Sequence, residues 1–273
     1  MSVLVDSPQV EAFAGHVRFI LVEPSHPGNV GAAARAIKTM GFGELVLVQP
    51  RDPAVLQDAQ ALAMASGADD VLANARIVAA LPDALVGVQW SLALSARPRE
   101  YGPPLLTPRE AAPRAVEVAL QGGGVALVFG NERTGLANHD VERCTAIAHI
   151  PANPVYSSLN LSQAIQVLAY EFRMAGLATS VSHPHSEGEN VTNVTNATNA
   201  ASGASGDEIE GMYVHLEQAL IDIAFLDPAQ PKKLMSRLRR LFARSGLERE
   251  EVNILRGIAK QIAKFRKDSD TRA

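Results

Sequence analysis

The chain has 273 residues, 47% of them hydrophobic, a formal net charge of −4 and one cysteine, Cys144. That apolar content can bury one or two cores, and the lone cysteine excludes an intrachain disulfide and points to a reducing compartment. No apolar run approaches the roughly 20 residues that span a bilayer, and the opening MSVLVDSPQVEAFAG lacks the basic-then-apolar order of a signal peptide, so a cytoplasmic protein without a membrane partner is expected.

Val17–Val22 (VRFILV) reads as an apolar run, the pattern of a buried strand. The turn Pro24-Ser25-His26-Pro27 follows. Gly28-Asn29-Val30-Gly31 then opens an alanine-rich helix that stops at Gly41, and Leu45–Val48 is the next strand. A strand–helix–strand unit implies a parallel sheet. Within it Arg35 is placed in the first half of the helix, where the macrodipole disfavours a cation by several tenths of a kcal/mol. Asn29 and Gly31 precede it at the end that attracts anions, so a phosphate or an oxyanion is expected to share the site. The glycine spacing matches neither the dinucleotide fingerprint nor the phosphate loop.

Residues 55–64 are expected to be helical, and 75–79 and 89–94 to be strands, the last running into Ser95-Ala96-Arg97. Thr107 is read as the cap of a helix over 108–120 with Pro108 in its first position. After Gly122-Gly123-Gly124, the strand 125–129 empties into Gly130-Asn131-Glu132-Arg133-Thr134-Gly135, a charged pair between glycines.

The segment 146–150 ends a further strand. Ile150 leads into a turn with Pro151, Asn153 and Pro154, then Ser157, Ser158, Leu159 and Asn160, then a helix with Leu161, Ala164, Ile165, Leu168 and Ala169 on one buried face. The strand ends at 23–31, 95–99, 130–135 and 150–160 thus supply every unusual polar residue of this region, and ligands of open α/β sheets bind at that edge.

Residues 179–206 are dominated by Ser, Thr, Asn, Gly and Ala and read as a disordered linker. Residues 207–265 read as three amphipathic helices. Between Lys232 and Lys267, twelve Lys and Arg meet three Glu, a local charge of +9 in an acidic protein. Solvated helix faces mix signs, so this cluster points to a polyanion such as nucleic acid. The expected division is 1–178 catalytic, 179–206 linker and 207–273 basic helical extension.

The stretches PGNVGAAAR, LVFGNERTGL and IPANPVYSSLNLSQA resemble, in order, the three motifs of the SpoU-type RNA 2′-O-methyltransferases of the SPOUT superfamily. A catalytic domain followed by a helical extension is most similar to the branch that methylates cytidine or uridine in tRNA at the first nucleotide of the anticodon loop. The resemblance implies an α/β fold, a parallel sheet with helices on both faces and a C-terminal trefoil knot. It also implies a homodimer whose sites each take an Arg from the partner, with S-adenosyl-L-methionine as cofactor. By motif, Arg35, Asn29, Glu132, Ser158 and Asn160 carry the chemistry. Ser95, Ala96, Arg97, Gly130, Ile150, Ser157, Ser158 and Leu159 hold the cofactor.

The resemblance implies Arg35 as the base, but an arginine is protonated below about pH 12, so the preferred reading is a stabiliser of the ribose alkoxide and an anchor for the adjacent phosphate; the sequence leaves both roles open. Glu132 would hold an Arg or a substrate hydroxyl. None of the seven His is well placed by motif, and none has metal-ligand spacing, so no metal is expected. The rival readings are a ribosomal RNA methyltransferase of the same fold, a non-catalytic RNA-binding protein, and a hydrolase using Ser157 or Ser158. The hydrolase lacks the G-x-S-x-G elbow.

Overall fold

The computed structural model describes residues 8–96, 102–181 and 203–270. Its elements are α1 (Pro8–Gly15), β1 (Val17–Val22), α2 (Pro27–Thr39), β2 (Glu44–Val48), a 3-10 turn (Val55–Gln57), α3 (Ala59–Ala65), α4 (Asp69–Asn74), β3 (Arg76–Val78), α5 (Leu81–Ala84), β4 (Val88–Leu94), β5 (Leu105–Leu106), α6 (Pro108–Leu120), β6 (Gly124–Phe129), α7 (Asn138–Glu142), β7 (Ala146–Ala148), α8 (Leu161–Val181), α9 (Gly206–Asp222), α10 (Leu234–Ala243) and α11 (Arg249–Asp270). The seven strands are all parallel, in the order β3-β2-β1-β6-β4-β7-β5.

Alternation along the strands divides the core. Val17, Phe19 and Leu21 of β1 join Leu127, Phe129 and Leu92 under α2, α6 and α8, whose Ile37, Val116, Ile165, Leu168 and Phe172 fill that face. Ile20 and Val22 point the other way, with Val46, Ala126 and Val128, against Leu81 of α5 and Val141 of α7. The expected parallel sheet with helices on both faces is therefore present. All five residues expected on the buried face of α8 are buried.

Three local expectations are corrected. The helix over 55–64 is broken at Asp58, whose carboxylate accepts from the amides of Gln60 (2.7 Å) and Ala61 (3.3 Å) and so starts α3. Gly31 is a packing residue, because a Cβ there would lie 2.0 Å from the Ala61 carbonyl oxygen, where α2 crosses α3. Arg35 is the ninth residue of the 13 in α2, counting from Pro27. The macrodipole acts over the terminal turns, so no penalty attaches to it.

Thr107 caps α6, its hydroxyl accepting from the Glu110 amide at 3.3 Å. Of the segment read as a linker, 179–181 belong to α8, and most of the rest lies outside the described residues. In the extension, α9 packs along α11, with Met212, Tyr213, Leu247 and Val252 as its core.

The extension meets the sheet domain at the amino-terminal end of β4. There Glu210 of α9 takes Arg143 at 3.1 Å and also pairs with Arg239 of α10, while Ser236 donates to Glu142 at 3.0 Å. Arg239 lies 4.3 Å from the centre of the Tyr213 ring, and burial pushes the Tyr213 hydroxyl up to about 12. Among the described residues no helix is long and apolar enough to cross a membrane.

Candidate active site

In sheet order β1, β6, β4 and β7 are consecutive, so the loops that leave their carboxyl ends are neighbours although the chain separates them widely. The second loop fastens the first. Asn131 donates through its side-chain amide to the Glu23 carbonyl at 2.8 Å. The Glu132 carboxylate accepts four hydrogen bonds from the first turn: the Ser25 amide (3.0 Å), the Ser25 hydroxyl (2.8 Å), the His26 amide (3.2 Å) and the Asn29 side chain (3.0 Å).

Burial alone would raise the Glu132 pKa. Donation from Asn29, from its own backbone and from Ser25 more than offsets this and leaves it below the usual carboxylate range. In this arrangement Glu132 joins loops, a different task from holding an Arg or a substrate hydroxyl.

The third loop is tied in through Asn29, whose side-chain oxygen accepts from the Asn160 amide group at 2.9 Å. Asn160 also caps α8, its oxygen accepting from the Ser162 amide (2.9 Å) and hydroxyl (2.7 Å). A chain of bonds thus runs from Ser25 through Glu132, Asn29 and Asn160 to Ser162. Arg35 is exposed on α2, and its guanidinium has no partner among the described residues.

Beside this chain lies a cavity of about 200 Å³, lined by Ser95, Ala96, Gly130, Ile150, Ser157, Ser158 and Leu159, with Leu94, Phe129 and Leu161 as apolar floor. Seven of the eight residues expected at the cofactor come together there, and Arg97 lies outside the described residues. Gly130 is required by the loop itself, since a Cβ would come within 2.3 Å of the Gly135 carbonyl carbon. Gly135 turns the loop at φ +69°.

Two histidines stand at this edge although motif position singled out none. His26 is the residue before α2 and is exposed, and its ring makes no hydrogen bond to the helix end. His149 follows β7, with Nδ1 3.4 Å from the Ser95 carbonyl oxygen. The signal for His26 was its place in the first turn, three residues before Asn29. Among the described residues no group of three or more His, Cys, Asp or Glu could hold a metal ion.

The model of the SpoU rRNA Methylase family matches residues 16–170, and that of the tRNA methyltransferase TrmJ C-terminal domain matches residues 207–272. The chain is 48% identical over 248 residues to the tRNA (cytidine/uridine/adenosine-2′-O-)-methyltransferase TrmJ of Pseudomonas aeruginosa, covering 91% of this chain and 94% of the relative. To the tRNA (cytidine/uridine-2′-O-)-methyltransferase TrmJ of Citrobacter koseri it is 45% identical, covering 90% and 96%.

Among solved structures, TrmJ from Z. mobilis ZM4 superimposes with a TM-score of 0.74 at 32% identity, over 90% of this chain and 98% of that one. A probable methyltransferase from Bordetella pertussis Tohama I gives 0.57 at 54% identity, over 61% and 98%.

Proposed function

The chain belongs to the SpoU methylase family, and from that premise we propose that it transfers a methyl group to the ribose 2′-oxygen of cytidine or uridine in tRNA, at the first position of the anticodon loop. The relatives that match over nine-tenths of the chain act on tRNA by name. The observation that carries the reading to residues is the bond chain Glu132–Asn29–Asn160, which draws the three motif loops together beside one cavity.

S-Adenosylmethionine supplies a sulfonium-activated methyl group. The residues present suit it: Gly130 and Ala96 leave backbone exposed to a flat ring, Leu94, Phe129 and Leu159 give an apolar slot, and Ser157 and Ser158 offer hydroxyls. Asn29 and Asn160 hold the third loop against the first, and Ser158 orients the ribose. Arg35, an exposed cation without a partner among the described residues, stabilises the developing 2′-alkoxide and anchors the neighbouring phosphate.

The reading extends to a homodimer in which each site takes an Arg from the partner, to a trefoil knot, and to a cytoplasmic enzyme needing no metal. Methyl transfer belongs to 1–178 and RNA holding to 207–273, joined by 179–206.

The test is to incubate purified protein with labelled cofactor, in EDTA, with bulk tRNA and with ribosomal RNA. Methylated positions are then mapped in each. Label at cytidine or uridine at the start of the anticodon loop is expected. Label in ribosomal RNA alone, or none in either, overturns the assignment.

A further inference from the structure

The second motif loop carries an arginine that the reading above leaves unused. Arg133 lines the cavity together with Ser95, Gly130 and Ser157, and it is exposed, so it stands at the rim. Although it follows Glu132 in the chain, it does not pair with it. That carboxylate is satisfied by donors from Ser25, His26 and Asn29. The Arg133 guanidinium makes no hydrogen bond or ion pair among the described residues.

Its backbone, by contrast, is tied down. The Asn131 side-chain oxygen accepts from the Arg133 amide (2.9 Å) and the Thr134 amide (3.2 Å). The Gly135 amide donates to the Asn131 carbonyl at 2.8 Å, and the Asn131 side-chain amide holds the loop to Glu23. A cation without a counter-charge, carried on a fixed loop beside a cavity, has the makings of a preorganised anion site.

The chemistry of the reactants names the anion. S-Adenosylmethionine brings a carboxylate, an ammonium and a sulfonium, so it adds positive charge to the cavity. The RNA adds negative charge. A ribose whose 2′-oxygen reaches the methyl group carries a phosphate on either side, and both come close to the rim. Arg35 is assigned to the alkoxide and to one neighbouring phosphate.

Resting on the methyl-transfer reading above, we propose that the Arg133 guanidinium binds a backbone phosphate of the tRNA that flanks the target ribose. The strand is thereby set across the cavity with its 2′-oxygen facing the methyl group. The planar fork meets two phosphate oxygens at once, which fixes orientation as well as position. A backbone contact carries no sequence information, so Arg133 places the ribose and leaves the choice of nucleotide to other contacts.

The experiment compares the full-length protein with its Arg133→Gln and Arg133→Lys variants. Calorimetry reads cofactor affinity without RNA, a salt series reads tRNA affinity, and single-turnover methyl transfer is followed at subsaturating tRNA. Arg133→Gln should lower that rate by about 10–100-fold, the worth of one charge-assisted contact. It should also flatten the plot of log tRNA affinity against log salt by about 0.7, with cofactor affinity unchanged or tighter. Arg133→Lys should keep the salt slope, because the charge stays, and recover part of the rate, because the fork is lost. A fall in cofactor affinity that accounts for the rate loss would assign the guanidinium to the cofactor carboxylate and overturn the proposal. An unchanged salt slope in Arg133→Gln would overturn it as well. Wild-type protein that binds tRNA and cofactor but transfers no methyl group would sink the methyl-transfer reading, and the salt slopes would still decide the phosphate contact.

Discussion

The carboxylate of Glu132 accepts the side-chain amide of Asn29 at 3.0 Å, across 103 residues of chain. This bond ties the β6 loop to the start of α2, and Asn29 passes the constraint on to Asn160. Replacing Glu132 by Gln keeps the shape but turns one acceptor oxygen into a donor that faces other donors. We expect methyl transfer to fall by about 10–100-fold, as for groups that position a reacting one, with unfolding about 1–3 kcal/mol easier. Rate assays and urea titration check both. Normal activity with normal stability would show that the four bonds position nothing.

The same carboxylate gives a pH dependence. Its folded-state pKa lies below the unfolded value, near about 4.3. Its contribution is therefore fully present above that value and is lost as pH falls through the folded one. Wild-type stability should drop between pH 5 and 3 more steeply than that of Glu132→Gln. Glu110 and Glu208 are shifted down for similar reasons, through Thr107 and Ser205, and act equally in both proteins. Parallel acid-unfolding curves would rule out the Glu132 contribution.

Gly31 separates packing from ligand binding. Its missing Cβ would sit 2.0 Å from a backbone oxygen of α3, and backbone cannot swing aside as a side-chain tip can. Gly31→Ala should destabilise the protein by about 1–3 kcal/mol, lower Tm, and leave cofactor affinity of the folded fraction within about twofold. A variant of unchanged Tm and weakened cofactor binding would return Gly31 to the ligand.

How much was legible follows from where the signals lie. Val17–Val22, apolar but for Arg18, and the strand ending at Phe129 are apolar runs because helices cover both faces of the sheet there, and the sequence marks such strands plainly. The edge strands Arg76–Val78 and Leu105–Leu106 are short and half-exposed, so β5 carried no signal. The Ser and Asn residues of 157–160 were visible as a loop, but the bond from Asn160 to Asn29 spans 131 residues and has no local trace. Counting charge in a window likewise leaves out pairings with residues beyond it. Glu208 and Glu210, on α9 and outside the window, neutralise Arg249 and Arg239.

Arg35 is exposed and without a partner among the described residues, so its removal should cost the fold little. Arg35→Ala should cut methyl transfer by at least about 10²–10³-fold while Tm and cofactor affinity hold. Arg35→Lys should restore little, because the planar fork is lost. A lysine variant with most of the activity would exclude a guanidinium-specific role. Isothermal titration with cofactor and single-turnover rates separate these outcomes.

The extension offers the sharpest test of RNA holding because, among the described residues, some of its cations are committed to partners and others are not. Arg239 is committed to Glu210 and to the Tyr213 ring, Arg249 to Glu208, and Arg256 lies against His215. Lys232, Arg244, Lys260 and Lys264 are exposed and have no partner among the described residues. The second group is free to meet phosphates, and each phosphate it neutralises releases condensed counterions. Changing those four to Ala in the full-length protein should flatten the plot of log affinity for tRNA against log salt by about 0.7–0.9 for each phosphate no longer neutralised. Cofactor affinity and Tm should stay put. Arg239→Ala should do the reverse, lowering stability by leaving Glu210 with one partner fewer in a half-buried site while changing the salt slope little. An unchanged slope in the quadruple variant would mean that these side chains do not touch RNA and that the extension serves the fold alone.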